Sequence, residues 1–241
     1  TYYGSVVSSV KGASSSSTSS SSTTSAQVTT QVACTDGVVR TFYHSGSALN
    51  TGRLVTVSVT QSGTKVTSLS NKKLEGSVSK DGSSFAGHDF ADGVQILDTD
   101  ENGGYARIYP SRLAGAKLSG DDVRYYSLDA NGDIDRLVLH EVTGDTWEYV
   151  YVSSVVNNSS DMNISASYTY VQDGQTQTLN SSKLYSVKSG GAAMIYEDGQ
   201  VSSMRQLSSE TLDSVSSLSA MAGNQEYALA EDVQVLLRDG S

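Results

Sequence analysis

The hydrophobic and polar positions of this chain alternate over most of its length. In 52–60, GRLVTVSVT, Val55, Val57 and Val59 alternate with a leucine, a threonine and a serine. A period of two places alternate side chains on opposite faces of a strand. In 146–156, TWEYVYVSSVV, aromatic and β-branched residues are concentrated, as is typical of strands. The pattern therefore predicts a chain built mainly of β-strands.

Turn residues separate these runs. The chain has 22 glycines and one proline, and its Gly, Asn and Asp residues recur between the alternating runs, which predicts many tight hairpins. Helical periodicity is confined to two short stretches. They are SRLAGAKL at 111–118 and SETLDSVSSLSAM at 209–221, in which leucine and valine recur every three residues. The second is rich in serine, whose helix propensity is poor, so we expect only short helices.

Several stretches of the chain occur twice in the same order. Their offsets are similar, and they change where loops can absorb the difference, most of all at the serine-rich tract 14–25. Self-similarity at a nearly fixed period is the sequence signature of repeated modules. The matched pairs are 6–14 with 151–159, 31–42 with 168–179, 55–69 with 193–204, and 90–103 with 227–241.

The repeat predicts two homologous modules, 1–147 and 148–241. The first contains the serine-rich tract 14–25 as a solvated loop and a closing hairpin at 120–139. The second has no closing hairpin of its own within these residues, which predicts a truncated copy. Strand-rich modules of this size hide their edges by closing. We therefore predict an all-β fold of tandem small β-barrel or sandwich modules with short helices.

The charge and composition of the chain limit the kinds of partner and setting that it can have. The net charge is −10 and the sequence pI is about 4.6, so no basic patch is available to meet the phosphates of a nucleic acid. No apolar run approaches the length of a membrane span. A single cysteine, Cys34, excludes an internal disulfide and is predicted to be a buried small hydrophobe on a strand.

A resemblance to a known family follows from two features. The first is 121–155, DDVRYYSLDANGDIDRLVLHEVTGDTWEYVYVSSV, and the second is the pair of repeats that end in VQIL and VQVL. Both resemble the repeated β-modules of Gram-positive, Clostridia-like cell-surface proteins that contain S-layer homology domains. No such domain lies in these residues, and no catalytic residue carries over from the modules.

The resemblance implies an extracellular, cell-wall-associated location. It also implies a non-enzymatic structural, spacer or adhesion role, with cell-wall polymers or other surface proteins as partners.

Two acidic loops have part of the pattern of a calcium site. In DTDENGG, Asp98, Asp100 and Asn102 stand at positions 1, 3 and 5, with glycine at 6, as in the first half of an EF-hand loop. Position 12 is a tyrosine instead of the glutamate that binds calcium through both oxygens. The simpler interpretation is a hairpin turn, and weak calcium binding is the alternative.

The second acidic loop is DANGDID, at 129–135. Asp129, Asn131 and Asp133 stand at positions 1, 3 and 5, but isoleucine occupies position 6 and histidine position 12. The same two interpretations apply, because Asp, Asn and Gly are also favoured in turns for backbone reasons.

Tyrosine is the dominant aromatic residue, with fourteen tyrosines against three phenylalanines and one tryptophan. A tyrosine ring can stack on a sugar face while its hydroxyl forms hydrogen bonds, so a carbohydrate- or wall-polymer-binding module is the alternative function. The simpler interpretation is that these are ordinary strand residues. The candidate contact residues cluster near the module junction: Tyr105, Tyr109, Tyr125, Tyr126, Tyr149 and Tyr151.

Motifs for catalysis are missing from the sequence. It contains no G-x-S-x-G, no H-E-x-x-H and no phosphate-binding loop, and its three histidines have no partners at metal-ligand spacing. We therefore predict a protein that is not an enzyme.

Overall fold

A computed structural model describes residues 1–12, 26–158, 160, 162–197, 200–230 and 233–237. The serine-rich loop predicted at 14–25 lies outside these residues. Within them the chain forms twenty strands and a single 3-10 helix, which confirms the all-β prediction. Two compact units are present, Thr1–Thr146 and Trp147–Ser241, and this division lies one residue from the boundary drawn from the repeat.

The first unit begins with a five-stranded antiparallel sheet in the order β3-β2-β1-β4-β5. The long central strand carries a bulge at Val7, and the Cα atoms of edge strands β3 and β5 approach within 8 Å. The sheet therefore curls into a partly open barrel. Its strands are β1 (Tyr2–Lys11), β2 (Val28–Cys34), β3 (Val39–His44), β4 (Leu54–Thr60) and β5 (Gly63–Ser68).

Alternate residues of these strands fill the inside of the curl. The buried cluster is Val6, Val32, Cys34, Phe42, Val55 and Val57. Cys34 is a buried free thiol, as predicted, and burial raises its pKa. Glycine is required at position 4, where β1 pairs with the end of β2, because a Cβ there would lie 2.2 Å from the carbonyl oxygen of Ala33.

The rest of the first unit forms a second sheet, in the order β11-β12-β8-β7 with β9 paired to β8, and a two-stranded β6-β10 ladder. The hairpin predicted at 120–139 is β11-β12, and β12 adds to β8 in parallel. The elements are β6 (Gly76–Ser77), β7 (Ser84–Phe85), β8 (His88–Thr99), β9 (Tyr105–Ile108), the 3-10 helix Pro110–Leu113, β10 (Lys117–Leu118), β11 (Val123–Leu128) and β12 (Ile134–His140).

Aromatic stacking and hydrogen bonds join the two sheets of the first unit. Tyr3 of β1 stacks on Tyr125 of β11, with ring centroids 5.7 Å apart. Arg107 donates to the carbonyl oxygens of Thr35 at 3.2 Å and Val94 at 2.8 Å. These contacts satisfy polar groups that would otherwise be left unpaired between the sheets.

The second unit repeats the first sheet. Its five strands have the order β15-β14-β13-β16-β17, which is that of the first sheet with each strand replaced by its later counterpart. The bulge recurs at Ser153, the sixth residue of the central strand, as Val7 is in β1. The strands are β13 (Glu148–Asn157), β14 (Ala166–Gln172), β15 (Gln175–Ser181), β16 (Gly190–Glu197) and β17 (Gln200–Gln206).

A small three-stranded sheet follows, made of β18 (Ser214–Val215), β19 (Ser219–Ala222) and β20 (Gln225–Ala228). The helix predicted at 209–221 is therefore wrong. The hydroxyl of Ser216 accepts the backbone N–H groups of Leu218 and Ser219, and such local bonds compete with helix formation.

The helix predicted at 111–118 is also shorter than expected. Only the 3-10 turn Pro110–Leu113 forms, and Gly115 follows it at a φ of +74°. A glycine in the left-handed region ends the helical path.

The two copies of the VQ(I/V)L stretch differ in burial. In the first unit, Val94 is 6% exposed and Ile96 is fully buried, because β8 lies between β9 and β12. Their counterparts Val233 and Val235 are 50% and 81% exposed, and the described residues 233–237 are not part of a strand.

This difference predicts unequal costs for equivalent truncations. Ile96→Ala should lower the free energy of unfolding by about 2–5 kcal/mol, because it leaves a cavity in the core. Val235→Ala should change it by less than about 0.5 kcal/mol. Scanning calorimetry on the full chain measures both, and equal losses for the two variants would contradict the described burial.

Candidate functional site

A polar cleft of about 420 Å³ opens on the first unit. Its volume is near the lower end of the usual range for ligand pockets, roughly 300–1,000 Å³. Four distant parts of the chain meet there. They are the turn 50–53, the segment after β5 that carries Asn71 and Lys73, the loop residue Glu101, and the paired strands β11 and β12 with the turn that precedes them.

The turn 50–53 is held in place by its glycine. Gly52 has a φ of +79°, and a Cβ at this position would lie 2.9 Å from the carbonyl oxygen of Glu101. Its N–H donates to the carbonyl oxygen of Val6 at 2.7 Å. Glycine is therefore the residue that lets this turn approach the loop after β8.

Arg124 of β11 is half-buried, whereas the other arginine and the lysine of the cleft lining are exposed. Its Nη1 donates to the hydroxyl of Thr99 at 2.9 Å, and its Nη2 donates to the carbonyl oxygen of Gly52 at 2.6 Å. Burial lowers the pKa of Arg124, and the nearby charge of Arg53 lowers it further. Neither hydrogen-bond acceptor carries a negative charge.

The rim of the cleft carries charges of both signs. Lys73 forms an exposed ion pair with Asp121, and Nε of Arg53 donates to the hydroxyl of Ser68 at 3.3 Å. Glu101 and His140 are the other charged or titratable residues that line the cleft. The arginines and the lysine of the lining contribute three cations against two carboxylates, so the cleft is locally positive in an acidic chain.

In the first predicted calcium loop, the aspartate carboxylates accept hydrogen bonds from backbone N–H groups and a hydroxyl of the protein itself. Asp98 is fully buried, and its two carboxylate oxygens accept the N–H groups of Thr99, Val142 and Thr143 and the hydroxyl of Thr143. Oδ1 of Asp100 accepts the N–H groups of Asn102 and Gly104. Both carboxylates therefore shape backbone turns.

The second predicted calcium loop is the turn between β11 and β12. Oδ1 of Asp129 accepts the N–H groups of Asn131 at 2.8 Å and Asp133 at 3.1 Å. Across the described ranges, no group of three or more His, Cys, Asp or Glu side chains is arranged to hold a metal ion. Calcium binding stays a prediction.

The tyrosines predicted in the first unit separate into two kinds. Tyr105 and Tyr109 are exposed at either end of β9, and the guanidinium of Arg107 lies 5.2 Å from the ring centre of Tyr109. Tyr125 is packed instead against Tyr3, and burial raises its pKa. Tyr126 packs on the core of the second sheet, beneath the ammonium of Lys72 at 4.1 Å.

The other two predicted tyrosines belong to the second unit. Tyr149 and Tyr151 are exposed on β13, whereas Val150 and Val152, which alternate with them, are buried. The sequence pattern therefore identified two exposed tyrosine pairs, one in each unit, together with two packed tyrosines.

Sequence reasoning missed one further polar cluster. In the second unit Glu148 accepts a hydrogen bond from Gln172 at 2.8 Å. Burial raises the pKa of Tyr196, and the nearby charge of Glu148 raises it further. Burial also raises the pKa of Tyr170, and the nearby charge of Glu148 raises it further. The cluster consists of residues from β13, β14 and β16. No local sequence motif predicts it, because its members are far apart in the chain.

No protein family, curated protein or solved structure matches this chain. In the part of the chain that the structure describes, no helix is long and apolar enough to cross a membrane.

The two acidic loops make a matched test of what their carboxylates do. Asp98→Asn should lower the free energy of unfolding by about 2–3 kcal/mol, because an amide presents one donor group to N–H groups that need an acceptor. Asp129→Asn should change it by less than about 0.5 kcal/mol, because only Oδ1 is used and asparagine retains it. Urea unfolding monitored by circular dichroism compares the two.

If the buried carboxylate of Asp98 holds the backbone turn, Asp98→Asn must be less stable than Asp129→Asn. If Asp98→Asn were as stable as Asp129→Asn, the buried carboxylate would not be what holds the 141–143 segment.

Proposed function

We propose that this chain is a non-enzymatic structural, spacer or adhesion-type segment of a bacterial cell-surface protein. The observation that carries the proposal is repetition. One five-stranded sheet, with the same strand order and the same bulge in its central strand, is built twice along the chain. Duplication of a folded sheet extends a protein without requiring new chemistry, as is expected of a spacer.

The surface chemistry supports an extracellular, wall-associated setting. The chain has a net charge of −10, only 17% charged residues and many serines and threonines, so its solubility depends largely on neutral polar groups. The resemblance to repeated modules of Gram-positive surface proteins points to the same setting, with wall polymers or other surface proteins as partners.

The location can be tested on intact cells of the source organism. An antibody raised against this chain should label unpermeabilised cells, and brief protease treatment of those cells should remove the signal. An antibody against a cytoplasmic protein is the control for lysis. Labelling that appears only after permeabilisation would contradict the proposal.

The spacer role predicts a mechanical behaviour. Pulling the full chain by its ends should give two separate unfolding events, one for each compact unit. Their length gains should be on the order of 500 Å and 300 Å, at roughly 3.5 Å for each residue released. A single continuous extension without discrete events would contradict a role that depends on two folded modules.

A second candidate function is carbohydrate or wall-polymer binding. It is favoured by the two exposed pairs, Tyr105 with Tyr109 and Tyr149 with Tyr151. Tyrosine combines an apolar ring with a polar hydroxyl, which suits the faces and edges of sugars. Arg107 beside Tyr109 adds a group that can donate hydrogen bonds.

The second unit offers a matched test of this candidate. The double variant Tyr149→Ala and Tyr151→Ala should bind purified wall polysaccharide about tenfold more weakly, which corresponds to about 1.4 kcal/mol. Tyr227→Ala removes a tyrosine of similar exposure from β20 and should leave binding unchanged. Equal affinity of all three proteins in a sedimentation assay would count against the tyrosine surface.

A further inference from the structure

The charge of Arg124 is not neutralised within the described chain. Arg124 is half-buried, and removing a cation even partly from water is costly unless a negative group compensates it. The arginines of this unit that form ion pairs, Arg40, Arg112 and Arg136, all do so with aspartates. Arg124 instead donates to a hydroxyl and a carbonyl oxygen, and it takes part in no ion pair between described residues.

Arg107 provides a useful contrast. It too donates to carbonyl oxygens and forms no ion pair between described residues, but its charge acts on the carboxylate of Asp36. Its guanidinium, however, lies 5.2 Å from the ring centre of Tyr109, where the negative face of the ring offsets part of the charge. No such ring contact is present for Arg124 within the described part, and its side chain lines an open cleft instead.

A second cation increases the uncompensated positive charge in the cleft. Arg53 lines the same cleft, and its charge acts on Arg124 strongly enough to help lower the pKa of that guanidinium. Two neighbouring guanidinium groups repel each other unless an anion lies between them. Each presents a planar set of N–H donors, which matches the oxygens of a carboxylate or a phosphate.

The rim limits the charge of the anion that fits. Asp121 is paired with Lys73, whereas no ion pair involves Glu101 in the described residues. A ligand with several negative charges would meet repulsion from both carboxylates. Asn50 and Asn71 line the same cleft, and their side-chain amides can donate to and accept from neutral hydroxyls. The lining therefore favours one anionic group on a polar, hydroxylated carrier.

We propose that the cleft around Arg124 and Arg53 binds a singly charged oxyanion, a carboxylate or a phosphodiester, carried by a sugar- or polyol-like molecule. In a surface protein the source would be an anionic wall or capsule polymer, and this part of the inference rests on the proposed function. In this proposal the guanidinium groups of Arg124 and Arg53 hold the oxyanion, and the two asparagines contact the carrier.

The test uses the full chain and three probes. These are glucuronate, which carries a carboxylate, glycerophosphoglycerol, which carries a phosphodiester, and glucose, which is neutral. Titration calorimetry should show binding of at least one anion, weakened by added salt, and none of glucose. In parallel, the side-chain Nε–H resonance of Arg124 should shift on titration.

Two variants separate the site from general charge effects. Arg53→Gln should weaken anion binding about tenfold, or about 1.4 kcal/mol, and should not perturb the fold, because Arg53 is exposed. Lys65→Gln removes an exposed cation of β5 that is not in the cleft lining, and should leave affinity unchanged. Arg124→Gln is informative only where circular dichroism shows a native fold, since Arg124 also supports Gly52.

Each outcome decides one question. Binding of glucuronate alone identifies a carboxylate polymer, binding of the phosphodiester alone identifies a phosphate polymer, and binding of both supports a general monoanion site. No binding of either probe, or equal losses in Arg53→Gln and Lys65→Gln, overturns the proposal. Anion binding together with a negative intact-cell experiment would retain the site and reject the surface location.

Discussion

The parallel pairing of β8 with β12 is the interaction on which the first unit depends. It places Ile96 and Leu137 in one buried layer, and burial of such side chains supplies most of the stability of a small sheet, about 25 cal/mol for each Å² of apolar surface. The same pairing carries β11 into position, because β11 and β12 form one hairpin. Arg124 on β11 and His140 at the end of β12 then reach the cleft.

The buried carboxylate of Asp98 follows from that pairing. Asp98 lies opposite Leu139 in the parallel ladder, so the chain that leaves β12 must turn immediately above it. Its two oxygens accept the N–H groups of Val142 and Thr143 in that turn. A charged residue at the end of a core strand is thus explained by the backbone that surrounds it.

The sequence predicted the features that depend on local pattern. Alternation identified strands such as β4 and β13, and the turn residues identified the β11-β12 hairpin. The duplicated stretches led to two modules because each copy preserves its own alternation and turns. The helix predicted at 209–221 failed because no core covers the apolar residues that carry its three-residue spacing. Val215 of β18 and Leu218, which precedes β19, are both exposed, and the hydroxyl of Ser216 bonds to the local backbone.

The cleft could not be predicted from local pattern. Gly52, Glu101 and Arg124 are separated by long stretches of chain, and a parallel pairing, unlike a hairpin, leaves no turn motif that fixes its partner. The orientation of the carboxylates in the calcium pattern of 98–104 could not be predicted for a related reason. Asp98 and Asp100 are adjacent in the motif, but one faces the core and the other caps a turn, so spacing alone did not determine where the carboxylates point.

In an acidic chain with a locally positive cleft, the net charge and the local charge act on an anion in opposite directions. The net charge of −10 repels anions at long range, but at physiological ionic strength this field is screened over about 8 Å. Inside the cleft the two nearby guanidinium groups therefore outweigh the net charge, whereas outside the cleft the acidic surface repels polyanions. The opposition grows with the charge density of the partner. If the proposed anion site exists, a polymer with widely spaced single charges would place one of them beside Arg53 and Arg124 at a lower electrostatic cost than a dense polyanion would.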